Sequence, residues 1–88
     1  MLDDRLEILN TLGLHARAAA KLVSIASRHD CRVTVSNGQR QVDGRSIMGL
    51  LTLGAAKGSH LDIATDGPEE QQAMAEIQAL FARKFDED

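Results

Sequence analysis

Segments with an apolar residue at every second position alternate along this chain with segments of helical period, and that interleaving restricts the fold more than any other feature. Leu6 and Ile8 flank Glu7 in a short opening strand over about residues 4–9. From Ala16 the spacing turns helical: Ala19, Leu22, Val23 and Ala26 share one face of a helix ending near Arg28. Cys31, Val33 and Val35 then alternate with Arg32, Thr34 and Ser36, and Val42 lies in a second short run from Gln39 to Asp43. Asn37-Gly38 between these runs predicts a tight hairpin with positive φ at both turn residues. Ser46 precedes a shorter helix on which Ile47, Leu50 and Leu51 share a face and which Gly54 ends. Leu61, Ile63 and Thr65 alternate with His60, Asp62 and Ala64 in a fourth strand. Gly67-Pro68-Glu69-Glu70 opens the last helix, because proline suits a first turn and acids suit the positive end of the helix dipole. Ala73, Ile77, Leu80, Phe81 and Lys84 run down one side of it.

The order β-α-β-β-α-β-α predicts an α+β open-faced sandwich, a four-stranded antiparallel sheet with three helices on one face. With 88 residues there is room for one domain, spanning 1–88. Composition excludes several functions. Only 2% of residues are aromatic and none is Trp or Tyr, so the chain lacks the platforms on which single-strand nucleic-acid binders stack bases. Ten Lys and Arg against 13 Asp and Glu give a net charge of −3, and Asp86, Glu87 and Asp88 account for all of it. The remaining body is near neutral, without the basic field that a nucleic-acid partner requires. Those three acids read as a solvated, frayed end. Cys31 shares parity with Val33 and Val35 and reads as a small buried hydrophobe; with no Cys/His cluster, no metal and no cofactor are expected. Met1 to Arg5 has no apolar signal region, and Ile47 to Ala56 is too short to span a bilayer, so a cytoplasmic protein without membrane insertion is expected.

The stretch that carries chemistry is Gly13-Leu14-His15-Ala16-Arg17-Ala18-Ala19-Ala20. It sets His15 at the start of the first helix, where the leading N–H groups have no internal acceptor and form an anion site. The positive helix end disfavours the imidazolium, which leaves a neutral, nucleophilic ring. A phosphoryl group on that ring would meet the amides of Ala16 and Arg17 and the Arg17 guanidinium. Gly13 lets the chain bend sharply before the helix, and the small residues after Arg17 leave room for a partner. Taken alone, a histidine at a helix start is usually an ordinary capping residue, and the geometry shows only that a phosphohistidine would be tolerated.

Gly-Leu-His-x-Arg at this distance from the start resembles the active-site signature of the HPr family, the histidine phosphocarriers of the phosphoenolpyruvate-dependent phosphotransferase system. The resemblance extends to chain length, element order, Ser46 at the second helix and Leu-Gly-Ala-Ala-Lys-Gly at residues 53–58. It implies that His15 accepts a phosphoryl group on Nδ1 from enzyme I and passes it to an EIIA-type protein, with Arg17 steadying the charge. The chain would then act as a monomeric intermediate without turnover of its own. Ala18 stands where the family has proline, which restores an N–H at little helical cost. Leu12 replaces the asparagine common before the glycine in sugar-system carriers, and the acidic end and Ala-Ala-Lys-Gly segment are similar to the nitrogen-related carriers (NPr). The alternatives are a sugar-transport HPr and a regulatory interaction module that is never phosphorylated.

Ser46 reads as a helix cap; the matching serine is a regulatory phosphosite in some family members. Ile47, Met48 and Leu51 cannot all face the core of so short a helix, and the resemblance makes them a partner surface beside His15. His29 at the end of the first helix reads as structural, and His60 as solvated.

Overall fold

The computed structural model describes residues 1–87. The elements are β1 (Leu2–Glu7), α1 (Ala16–Arg28), β2 (Arg32–Ser36), β3 (Gln41–Asp43), α2 (Ile47–Leu51), β4 (His60–Asp66) and α3 (Glu70–Ala82), followed by a short turn at Lys84–Asp86. The strands form one antiparallel sheet in the order β1-β4-β2-β3. Register places Leu6 beside Leu61, Ile63 beside Val35 and Thr65 beside Val33, so the period-two residues line the face that the helices cover. Leu22, Ile25 and Ala26 of α1 and Ala73, Ile77, Leu80 and Phe81 of α3 complete a core buried between sheet and helices. Thr65, the polar member of this face, is fully buried and donates from Oγ1 to the carbonyl of Glu70 at 3.0 Å. The opposite face stays open and polar, with Arg5 paired to Asp62 across β1 and β4 at 3.0 Å.

Several local expectations shift. β1 covers residues 2–7 rather than 4–9, and Ile8 is fully buried just past its end, where its backbone bonds Gly58 and Ser59. On α1, Ile25 rather than Val23 completes the buried face, because the stripe also includes Ala18. The hairpin turn is centred one residue later than Asn37-Gly38. β3 begins at Gln41, only Gly38 has positive φ (93°), and the Asn37 side chain accepts from the amides of Gln39 and Arg40 at 2.9 and 2.8 Å. Asn37 acts through its side chain, so its backbone need not adopt the left-handed region. On α2 only Leu50 is buried, since a helix of five residues offers the core a single position.

Ionic contacts hold the ends of the long helices. Arg45 donates to the carbonyls of Ala26, His29 and Cys31 at 3.0–3.1 Å, satisfying acceptors that the end of α1 leaves free. His29 ties α1 to α3, with Nδ1 at 2.9 Å from Glu69 and Nε2 on Glu76, which also accepts from Arg28. The carboxylates of Glu76 and then Glu69 raise the His29 pKa above its ordinary 6.5, and His29 in turn lowers that of Glu76 below its ordinary 4.5. Stability from the raised histidine is complete below pH 6.5 and is lost as pH rises through the folded value. Stability from the lowered carboxylate is present above pH 4.5 and lost as pH falls through its folded value. The pair therefore contributes most between these limits. His29→Ala is expected to cost about 0.5–1 kcal/mol near pH 5.5 after screening of the half-exposed carboxylates, and less by pH 9. Thermal melts of both chains at the two pH values check this; a gap that widens with pH would contradict it.

Candidate functional site

The site is assembled on the loop between β1 and α1. Gly13 adopts φ +69°, and a Cβ there would lie 2.5 Å from the carbonyl oxygen of Ala55, so only glycine fits. The same carbonyl accepts from the Leu14 amide at 2.9 Å, which clamps the loop against the segment after α2. Leu14 is buried, and the chain then enters α1 with His15 as its N-cap in extended backbone conformation. His15 caps with its ring: Nδ1 accepts from the Arg17 amide at 3.2 Å, as a serine or asparagine oxygen would.

The other ring nitrogen meets a residue from the far end of the fold. Nε2 of His15 contacts Oε2 of Glu87, which is 72 residues away in sequence. The second oxygen of Glu87 accepts from Nδ2 of Asn10 at 2.7 Å, and the same NH2 group donates to the carbonyl of Gly13 at 2.8 Å. Asn10 is fully buried, so its amide has to present its NH2 side to those two acceptors. Asp86 is engaged as well, by Arg83 at 2.8 Å and Lys21 at 3.3 Å. The acidic segment is thus no solvated, frayed end through Glu87; Asp88 lies outside the described residues.

The expectation that Lys84 continues α3 is also corrected. The helix stops at Ala82, and Lys84, Phe85 and Asp86 have φ of 58°, 54° and 62°. Such values cost a residue with a side chain roughly 1–2 kcal/mol each. Burial of Phe85 offsets that cost: it is fully buried, its ring centroid 4.8 Å from that of Phe81, and Lys21 donates to its carbonyl at 3.0 Å. This left-handed turn swings the chain back over the start of α1 and delivers Glu87.

The other predicted residues fall as follows. Ala16 and Arg17 form the exposed first turn of α1, and the Arg17 guanidinium has no ion pair among the described residues, which leaves it available to an incoming anion. Ala18, in the proline position, is fully buried beneath that turn. Ser46 caps α2, its Oγ accepting from the Gly49 amide at 3.0 Å. Ile47, Met48 and Leu51 are exposed on α2, which packs against α1, and Met48 is 74% exposed. Leu12, 70% exposed in the His15 loop, is a further bare apolar side chain. His60 lies on the open sheet face, and buried Cys31 has its thiol pKa raised, chiefly by desolvation. Among the described residues no group of acids, histidines and cysteines could hold a metal, and no helix is long and apolar enough to cross a membrane.

Sequence reasoning missed Asn10 and Glu87. A loop asparagine and an acid in a charged segment carry no local signal of their meeting. What the arrangement offers chemically is an imidazole with one nitrogen turned to a helix end and the other held by a carboxylate. A family model described as the PTS HPr component phosphorylation site matches residues 2–83. The chain belongs to the HPr family of phosphocarriers. HPr of Cupriavidus necator is 48% identical over 87 residues, covering 99% of this chain and 98% of that protein. HPr of Pseudomonas aeruginosa is 47% identical over 81 residues, covering 91% and 90%. The crystal structure of HPr-C-His from Thermoanaerobacter tengcongensis superposes with a TM-score of 0.95 at 34% identity, covering 100% and 99%. An HPr phosphocarrier of the phosphotransferase system accordingly has this open-faced fold.

Proposed function

We propose that His15 carries the phosphoryl group, on Nδ1, receiving it from an enzyme I-type donor and passing it to an EIIA-type acceptor. The observation that carries this reading is the Nδ1 contact with the Arg17 amide, which aims that nitrogen's lone pair at the start of α1. A phosphoryl group attached there would take over the amide, with the Ala16 amide and the Arg17 guanidinium beside it. No metal or cofactor has a part in this scheme, and the carrier acts as a cytoplasmic monomer. Ser46 serves as a cap, its hydroxyl already engaged with Gly49.

The output in this reading is the nitrogen-related, regulatory branch. Leu12, the Ala-Ala-Lys-Gly segment and the acidic residues after α3 support it. The alternative is the sugar-transport branch, which the name HPr carried by relatives does not separate from it. Phosphotransfer from phosphoenolpyruvate through sugar-system and nitrogen-system enzyme I in parallel, read by intact mass, decides between them. Fast labelling by the nitrogen enzyme alone is expected. Preference for the sugar enzyme assigns the transport branch, and no labelling by either favours an unphosphorylated interaction module.

Ile47, Met48 and Leu51 form the docking patch, an adaptable apolar surface suited to more than one partner. Met48→Glu is expected to slow exchange with donor and acceptor by roughly tenfold while leaving the melting temperature within a degree or so, because the side chain is exposed. Transfer rates across a series of partner concentrations check this; unchanged kinetics would remove Met48 from the interface.

A further inference from the structure

We infer that Glu87 is a positioning residue for phosphoryl transfer at His15, with Asn10 setting its orientation. The inference rests on the reading of His15 as acceptor. Nδ1 accepts from the Arg17 amide, so that nitrogen bears a lone pair and the ring proton resides on Nε2. Nε2–H then donates to Oε2 of Glu87, and Asn10 holds Oε1 from the other side. The three side chains form a relay in which a buried amide fixes a carboxylate and the carboxylate fixes the tautomer.

In the transfer step the Nδ1 lone pair forms the N–P bond while the donor–phosphorus bond breaks and its electron pair leaves with the donor. No proton has to leave Nδ1, since it carries none. Positive charge that develops on the ring is shared through Nε2–H with the Glu87 carboxylate, on the side away from the phosphoryl group. The left-handed turn at Lys84–Asp86 belongs to the same arrangement. A helix running straight on would carry Glu87 away from His15, and three successive residues at positive φ instead turn the chain toward it.

The order of effects in two substitutions tests the role. In Glu87→Gln, the Asn10 NH2 retains the new side-chain oxygen, because reversing the Asn10 amide would set its oxygen against the Gly13 carbonyl. The glutamine NH2 then faces Nε2, which must become an acceptor, and the proton moves to Nδ1 and blocks the nucleophile. Glu87→Ala merely removes the constraint. Glu87→Gln is therefore expected to accept phosphoryl roughly tenfold more slowly than wild type, and Glu87→Ala only about threefold. A structural role alone gives the reverse order, since glutamine is the closer fit in shape. Long-range ¹H–¹⁵N spectra of the unphosphorylated chains supply the second readout: a protonated Nε2 in wild type, and a protonated Nδ1 in Glu87→Gln. A glutamine variant as fast as the alanine variant, or a wild-type ring without its proton on Nε2, would overturn the inference. Failure of wild type to take up phosphoryl at His15 would overturn the carrier reading and the inference with it. The spectra need no donor, so they separate that result from a misplaced Glu87.

Discussion

His15→Ala is expected to take up no phosphoryl group under conditions that label the wild-type chain to completion. The chain has two other histidines, and the structure disqualifies both. Each ring nitrogen of His29 is occupied by a carboxylate, Nδ1 by Glu69 and Nε2 by Glu76, which leaves no free lone pair and surrounds the ring with negative charge that repels a phosphoryl donor. His60 lies on the open sheet face with Glu7 as neighbour, away from any helix start that would receive the transferred charge. Nor does another nucleophile stand at the head of α1, where Ala16, Arg17 and Ala18 follow. Intact mass after incubation with donor and phosphoenolpyruvate is the measurement. His15 is partly exposed, its capping bond at 3.2 Å is weak, and Asn10 still holds Glu87 once the Nε2 contact is gone. Its loss should therefore cost about 1–2 kcal/mol of stability, and the variant remains folded. A label on the folded variant at anything near the wild-type rate would show that the phosphoryl group is carried elsewhere.

Phe85→Ala should produce the largest loss of stability. The side chain is fully buried against Phe81, and truncating a buried Phe costs roughly 3–5 kcal/mol. A domain of 88 residues has roughly 4–13 kcal/mol in all, so the substitution removes a large share of it. The melting temperature is expected to fall on the order of 15 °C or more. The effect on the site is separate from that on the fold. Without the ring in its pocket only the bonds from Lys21 and Arg83 near the surface oppose the cost of positive φ at Lys84, Phe85 and Asp86, too little to hold the turn, and Glu87 leaves His15. Phe85→Leu retains most of the buried volume and should recover most of the stability. Denaturant unfolding of both variants checks the ranking; a cost below 1 kcal/mol for Phe85→Ala would mean that this turn is not anchored by burial.

Much of the site was legible because it is local. The capping position of His15, the bend at Gly13 and the cap at Ser46 each depend on residues within a few positions, where spacing and residue type decide the outcome. The buried parity of β2 and β4 was legible for the same reason: alternation sends Cys31, Val33, Val35, Leu61, Ile63 and Thr65 to one face regardless of what covers it. The length of α2 was less so, because a five-residue helix has one core-facing position where periodicity alone offers three.

The sequence by itself determined the element order, the core parity and the histidine at the start of α1, all through interactions between near neighbours. Only the tertiary structure decided the path after Ala82. Periodicity there continues through Phe85, and three non-glycine residues in the left-handed region run against every local preference, so no short window predicts the turn. Burial of Phe85 against α3 and the bonds from Lys21 outweigh that preference, and they exist only once α1 and α3 lie side by side. The contact of Glu87 with His15 follows from the same packing, at a separation of 72 residues that no sequence pattern spans.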